Sequence, residues 1–265
     1  MKKKDEKAYF SDQWEQMLTH FKAFINTDDQ EELHLFRVQV KKLRAMLELL
    51  DADSTKHYLS KDFKPVRKIF RHLGEIRNAY IHLQLGVRYQ FKNEEFLMGQ
   101  LHEIEKGTSE VKELGRKYLK TIKIANDKID DDLKSVDNDV IVEFYKTKLF
   151  EISAAFGNLQ FNDELHNARK QIKILIYNRK IARKALEGKL EIDNNYLDKL
   201  QSRIGDWHDN VLALELFSAP ELNYRPVITK IKRQNTRLKR SIAVLVQEFE
   251  KKAILAETLI ELQDK

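Results

Sequence analysis

The side chains best placed to do chemistry in this 265-residue sequence are cations at helical spacing. His34, Arg37, Lys41 and Arg44 follow one another at steps of three or four residues, with Lys42 beside them. On a helix of 3.6 residues per turn those four fall within an arc of roughly 80°. Phe36, Val40, Leu43, Leu47 and Leu50 fall on the opposite side, where a core-facing stripe belongs. A second row repeats the pattern. His166, Arg169, Lys173, Lys180 and Lys184 share a face that also carries Tyr177, while Ile172, Leu175, Ala182 and Leu186 lie across from it. Ile174 and Ile176 stand where the first row has Lys42 and Arg44, so the second row is thinner in its middle. Further rows are Lys64, Arg67, Lys68 and Arg71 leading to Arg77, then Lys112, Arg116, Lys120 and Lys123, and finally Lys230, Arg233, Arg237 and Arg240; Arg203 completes the candidate set.

A helix carrying one cation per turn offers positive charge about every 5.4 Å. That spacing suits a flexible polyanion, with about one charge per phosphate and no bases to read. Arginine holds phosphate oxygens with a bidentate fork, and lysine adds a mobile point charge. A row of like charges repels itself by a few tenths of a kcal/mol per i,i+4 pair. A phosphate chain relieves that repulsion and releases counterions. A solvated helix face is the plain alternative for any single row.

Other chemistries lack their residues. The chain has no cysteine, which removes disulfides, thiolate metal sites and cysteine nucleophiles. It has no glycine-rich phosphate loop, no HExxH and no nucleophile elbow. His208-Asp209, with His166, resembles part of the dispersed ligand set of an HD-type metal phosphohydrolase, but no second convincing Asp accompanies them. The expectation is therefore no catalytic residue, metal or cofactor. Binding to a nucleic-acid backbone is the main alternative, although the rows lack the interleaved aromatics that stack bases. A scaffold that docks an acidic protein segment is the other.

The elements that must carry these rows are helices. Only 8 Gly and 3 Pro serve 265 residues, too little turn chemistry for a β-rich protein. The periodicity predicts a first helix opened by an Asp12/Glu15 capping box and ending near Ile25, then a helix over 30–50. Next come a helix with Pro65 in its first turn running to about Tyr89, and two helices over 93–106 and 109–134. The second half predicts helices at 139–156, 163–188, 194–217 and 226–262. No apolar run is long enough to span a bilayer, and no apolar stretch follows the basic N-terminus, so no membrane partner and a cytoplasmic address are expected. The net charge of +6 is a weak bias, so distribution should matter more than the total.

The halves repeat. His34, Arg37 and Lys41 match His166, Arg169 and Lys173 at an offset of 132 residues, and Leu73-Gly74-Glu75-Ile76-Arg77-Asn78 matches Ile204-Gly205-Asp206-Trp207-His208-Asp209 at 131. Gly74 and Gly205 weaken their helices, so they serve close packing, a slight bend, or the approach of a ligand to the backbone.

His34-x-x-Arg37-x-x-x-Lys41-Lys42-x-Arg44 with its apolar tail, Leu73-Gly74-x-x-Arg77-Asn78, and His166-x-x-Arg169-x-x-x-Lys173 together resemble the signature of CHAD domains, the conserved-histidine α-helical domains. The resemblance spans about residues 10 to 260. It implies an all-α fold of two pseudo-twofold-related antiparallel helical bundles flanking a basic groove or pore. The whole chain would be one domain, with pseudo-repeats at 1–136 and 137–265. It also implies binding of inorganic polyphosphate, with other polyanions as secondary ligands, and association with polyphosphate granules. Asn78 replaces a common Asp, and His208 stands where the first repeat has Arg77. CHAD domains often accompany a CYTH-type triphosphatase, whose Glu-x-Glu-x-Lys has only the mis-spaced Glu103-Ile-Glu105-Lys106 as a counterpart. A stand-alone, non-enzymatic binding domain is expected.

Overall fold

A computed structural model describes residues 3–53 and 58–255. Nearly all of them are helical, and the only β feature among them is a single antiparallel bridge between Ile192 and Ile254. The chain separates into two compact units, Met1–Val136 and Asp137–Lys265.

In the first unit, α1 (Lys3–Thr27) packs against α2 (Gln30–Leu50), and α4 (Lys64–Arg88) packs against α5 (Glu94–Asp132). A 3-10 turn at Asp51–Asp53 and the short α3 (Leu59–Asp62) lie between the two hairpins in sequence. The interior is aromatic and aliphatic. Trp14, Phe21 and Phe24 of α1 are buried with Phe36, Leu43 and Leu47 of α2, Ile69 and Leu73 of α4, and Ile122 of α5. The apolar stripe expected on α2, from Phe36 to Leu50, is buried throughout. Asp29 caps α2 by accepting from the Glu31 N–H at 2.8 Å, which sets where the helix begins.

The second unit repeats this pairing. The helices α6 (Asn138–Gly157) and α7 (Asp163–Leu186) pack together, as do α8 (Asn194–Ser218) and α9 (Arg225–Val246), and α7 meets α8 as α2 meets α4. A short α10 (Phe249–Ala253) closes the described chain. Asp137, Asn162 and Asp193 cap α6, α7 and α8 through side-chain oxygens. Pro226 falls at the start of α9, a position that tolerates a missing N–H.

Several boundaries differ from the sequence expectation. Asp12 is inside α1, not at its start; its carboxylate accepts from the side-chain amides of Gln13 and Gln16 at 2.9 Å. The two helices expected over 93–134 are one helix, because Gly107 continues α5 and fits against Ile76. The long last helix ends at Val246. Glu248 then takes a left-handed conformation, φ 53°, before α10 begins, and the expected stretch 256–262 lies outside the described residues.

Candidate functional site

The first cluster forms where α2 crosses α4. Arg37 is half-buried. Its Nη1 donates to the Phe70 carbonyl at 2.6 Å, and its guanidinium carbon lies 4.0 Å above the Phe70 ring centroid. That carbonyl belongs one turn before Gly74, so its helical partner is the Gly74 N–H, and arginine uses the second lone pair. The absence of a side chain at Gly74 makes the approach possible: an added Cβ would stand 3.1 Å from Arg37 Nη1.

The second unit builds the same contact. Arg169 Nε donates to the Gln201 carbonyl at 3.0 Å, one turn before Gly205. An added Cβ at Gly205 would stand 2.7 Å from Arg169 Nη2. Of the three roles open to these glycines, close packing is the one realised, and the packed group is a guanidinium. The expectation that the whole α2 row points away from the core holds for the exposed Lys41 and Arg44 and fails for Arg37, which is an interhelical strut.

Around each strut stand the other cations. His34, Arg37, Lys41 and Arg77 are close enough to act on one another electrostatically. Burial first, then Arg77, lowers His34, with Glu31 opposing and Lys41 and Arg37 adding to the effect. Arg37 is pulled down to about 10 by burial and by the Arg77 guanidinium. Burial also lowers Arg77, against the Glu31 carboxylate, and its guanidinium lies 5.3 Å from the Tyr80 centroid. The depression comes from burial first and, for His34 and Arg37, from the neighbouring Arg77 second.

In the second unit the place of Arg77 is taken by His208, whose ring stacks on that of His166 with centroids 3.8 Å apart and planes inclined by 27°. Burial, then His208, Lys170 and Arg169, pull His166 down to about 4, with Asp163 opposing. Its Nδ1 is buried without a hydrogen-bond partner. Lys173 lies 5.0 Å above Tyr177 and is lowered by burial and by Arg169.

The remaining candidates do not join these clusters in the same way. Lys42 is half-buried and feels Asp12 of α1, which places it toward α1 instead of along the row. Arg67 and Arg71 on α4, Lys120 on α5, Lys180 on α7, and Arg233, Arg237 and Arg240 on α9 are exposed on their own helices. Arg203 pairs with Asp206 at 3.6 Å. Sequence reasoning missed Glu31, Lys170 and the carbonyls of Phe70 and Gln201. The i−4 position of each carbonyl before a helical glycine is the signal that could have found them. Among the described residues no three His, Asp or Glu side chains converge as a metal site would need, and His166, His208 and Asp209 form no such group. No helix among them is long and apolar enough to cross a membrane.

A comparison with curated proteins found none with significant sequence similarity. Among solved structures, the chain is similar to the crystal structure of the CHAD domain from the plant Ricinus communis, with a TM-score of 0.64 at 14% identity over 96% of this chain and 93% of that one. The likeness is one of fold. The sequence model of the CHAD domain matches residues 8–218, most of the chain, and this protein accordingly belongs to the CHAD domain family.

Proposed function

We propose that this protein binds inorganic polyphosphate through the basic faces of its two units and does not turn it over. Polyphosphate binding is an association of the CHAD domain, and one observation in this chain carries the reading furthest. Each unit sets a His-x-x-Arg helix against a glycine turn, with the arginine locked to a backbone carbonyl and further cations left around it. The struts fix where the cationic groups stand, so less side-chain freedom is lost on binding. Exposed Lys41, Arg44, Arg67 and Arg71 then extend the positive face beyond the first cluster. The ligand offers only phosphate oxygens, and the cations present are suited to nothing more selective than charge density and fork geometry. Within this reading the protein acts in the cytoplasm, at polyphosphate granules.

Replacing Lys41, Arg44 and Arg71 together by Gln tests it. None of the three is buried, so helicity by circular dichroism is expected to be retained. Long-chain polyphosphate affinity is expected to fall on the order of a hundredfold, and the slope of log affinity against log salt to become shallower by about 2 units, as for three lost phosphate contacts. Unchanged affinity and slope would place the ligand elsewhere. Phosphate release from polyphosphate by pure protein with a divalent metal would overturn the non-enzymatic reading.

A further inference from the structure

We propose that the stacked His166–His208 pair is a phosphate subsite that takes up a proton as it binds, which makes the second unit's grip on a phosphate chain pH-dependent through a ring pair that the first unit does not have. This inference rests on the polyphosphate reading and adds to it a regulation that the first repeat lacks, since Arg77 stands there in place of His208.

The geometry assigns the two rings different parts. His166 Nδ1 is buried with no partner, so a proton placed there would be a buried donor with nothing to bond. His166 therefore stays neutral and offers its π face. His208 is half-buried and lies against that face at a centroid distance of 3.8 Å. An imidazolium over a neutral aromatic ring is stabilised electrostatically, whereas two imidazolium ions so close repel. The pair thus accepts one proton readily, on His208, and resists a second.

The charges facing His208 set when that proton arrives. From α7, Arg169 and Lys170 oppose it; from α8, Asp209 and Glu215 favour it. Asp163 of α7 acts on His166. On α9, Lys239 Nζ lies 5.0 Å over Phe161, two rings removed from His208 through Trp207. Burial and the two α7 cations leave free His208 below its ordinary value, so it is mostly uncharged at neutral pH. An anion seated among His208, Lys170 and the Arg169 guanidinium would cancel the opposing charges and add a negative one. His208 would then hold its proton to a higher pH in the complex than alone. By linkage, binding strengthens as pH falls through the bound value and levels off below the free value.

The test is affinity for long-chain polyphosphate at constant ionic strength between pH 8 and pH 5.5, on the full chain. Internal phosphates of a long chain carry constant charge across this range, so the response belongs to the protein. The wild type is expected to tighten by about three- to tenfold per pH unit near neutrality, for uptake of half to one proton. Calorimetry in buffers of different ionisation enthalpy is expected to count the same proton. H208R, which restores the first repeat's residue, is expected to lose the share of that response that His208 supplies and to bind more tightly than wild type at pH 8. H208Q is expected to lose the same share, and a thermal melt at each pH shows that each variant is folded. Wild-type pH dependence retained in both variants would overturn this inference alone. Absence of polyphosphate binding at every pH would overturn it together with the reading beneath it.

Discussion

At Gly205 an added Cβ would stand 2.7 Å from Arg169 Nη2 and 3.0 Å from its Nε. The obstacle is the end of a flexible side chain, so alanine would expel the guanidinium before it moved a helix. Expulsion loses a charged hydrogen bond worth about 1.5–3 kcal/mol, while alanine gains about 1 kcal/mol of helix propensity over glycine. G205A is therefore expected to destabilise by about 1 kcal/mol. In an R169A background the space is open and the sign reverses, with G205A stabilising by up to about 1 kcal/mol. Denaturant melts of the four-membered cycle check this, and additive effects would mean that the strut is idle. The pair R37A and G74A is expected to behave alike but more mildly, because the corresponding approach at Gly74 is 3.1 Å. His166 supplies a second prediction at this scale. Its value is lowered from 6.5 to about 4, so on acidification the unfolded chain takes a proton that the folded one refuses. The stability it contributes is whole above pH 6.5 and drains as the pH falls toward 4. After allowance for solvent screening the loss is roughly 1–2 kcal/mol, and H166Q is expected to remove that part of the acid-side slope in melts recorded over this range.

Helices test how far local sequence carries. The bounds of α2 follow from Asp29 as N-cap and an unbroken apolar stripe, and both are visible in the chain. Along α5 the local signal misleads, because Gly107 reads as a break and is a packing site. An added Cβ there would lie 2.7 Å from Ile76 Cγ1, an atom whose β-branched side chain cannot swing away cheaply. G107A is expected to destabilise by about 1–3 kcal/mol through overpacking. Gly99, in the same helix, meets nothing within 4 Å, and G99A is expected to stabilise by up to about 1 kcal/mol. Melts that ranked the two substitutions equally would mean that α5 tolerates close packing anywhere. The end of α9 shows the opposite limit. Glu248 adopts φ 53° with neither glycine nor proline nearby to announce it, so the periodicity runs on past the true boundary.

For the whole molecule, the fold class was legible because scarce glycine and proline and continuous 3.6-residue periodicity leave few options besides helices. The residue types around the candidate site were legible too, since the His-x-x-Arg spacing repeats in both halves. Their division of labour was not. Whether an arginine on a helical row faces solvent or a neighbouring carbonyl depends on which helix lies beside it, and Arg37 and Lys41 differ in this while sharing a wheel face. Lys42 turns toward Asp12 for the same reason. Charge alone binds any phosphate chain, so the discriminating measurement is competition. With the full chain held on labelled long-chain polyphosphate at fixed salt, unlabelled polyphosphate and single-stranded DNA are titrated at equal total charge. Polyphosphate is expected to displace the label at least about tenfold more effectively, a difference of about 1.4 kcal/mol. Equal displacement by the two polymers, or stronger displacement by DNA, would contradict the central claim.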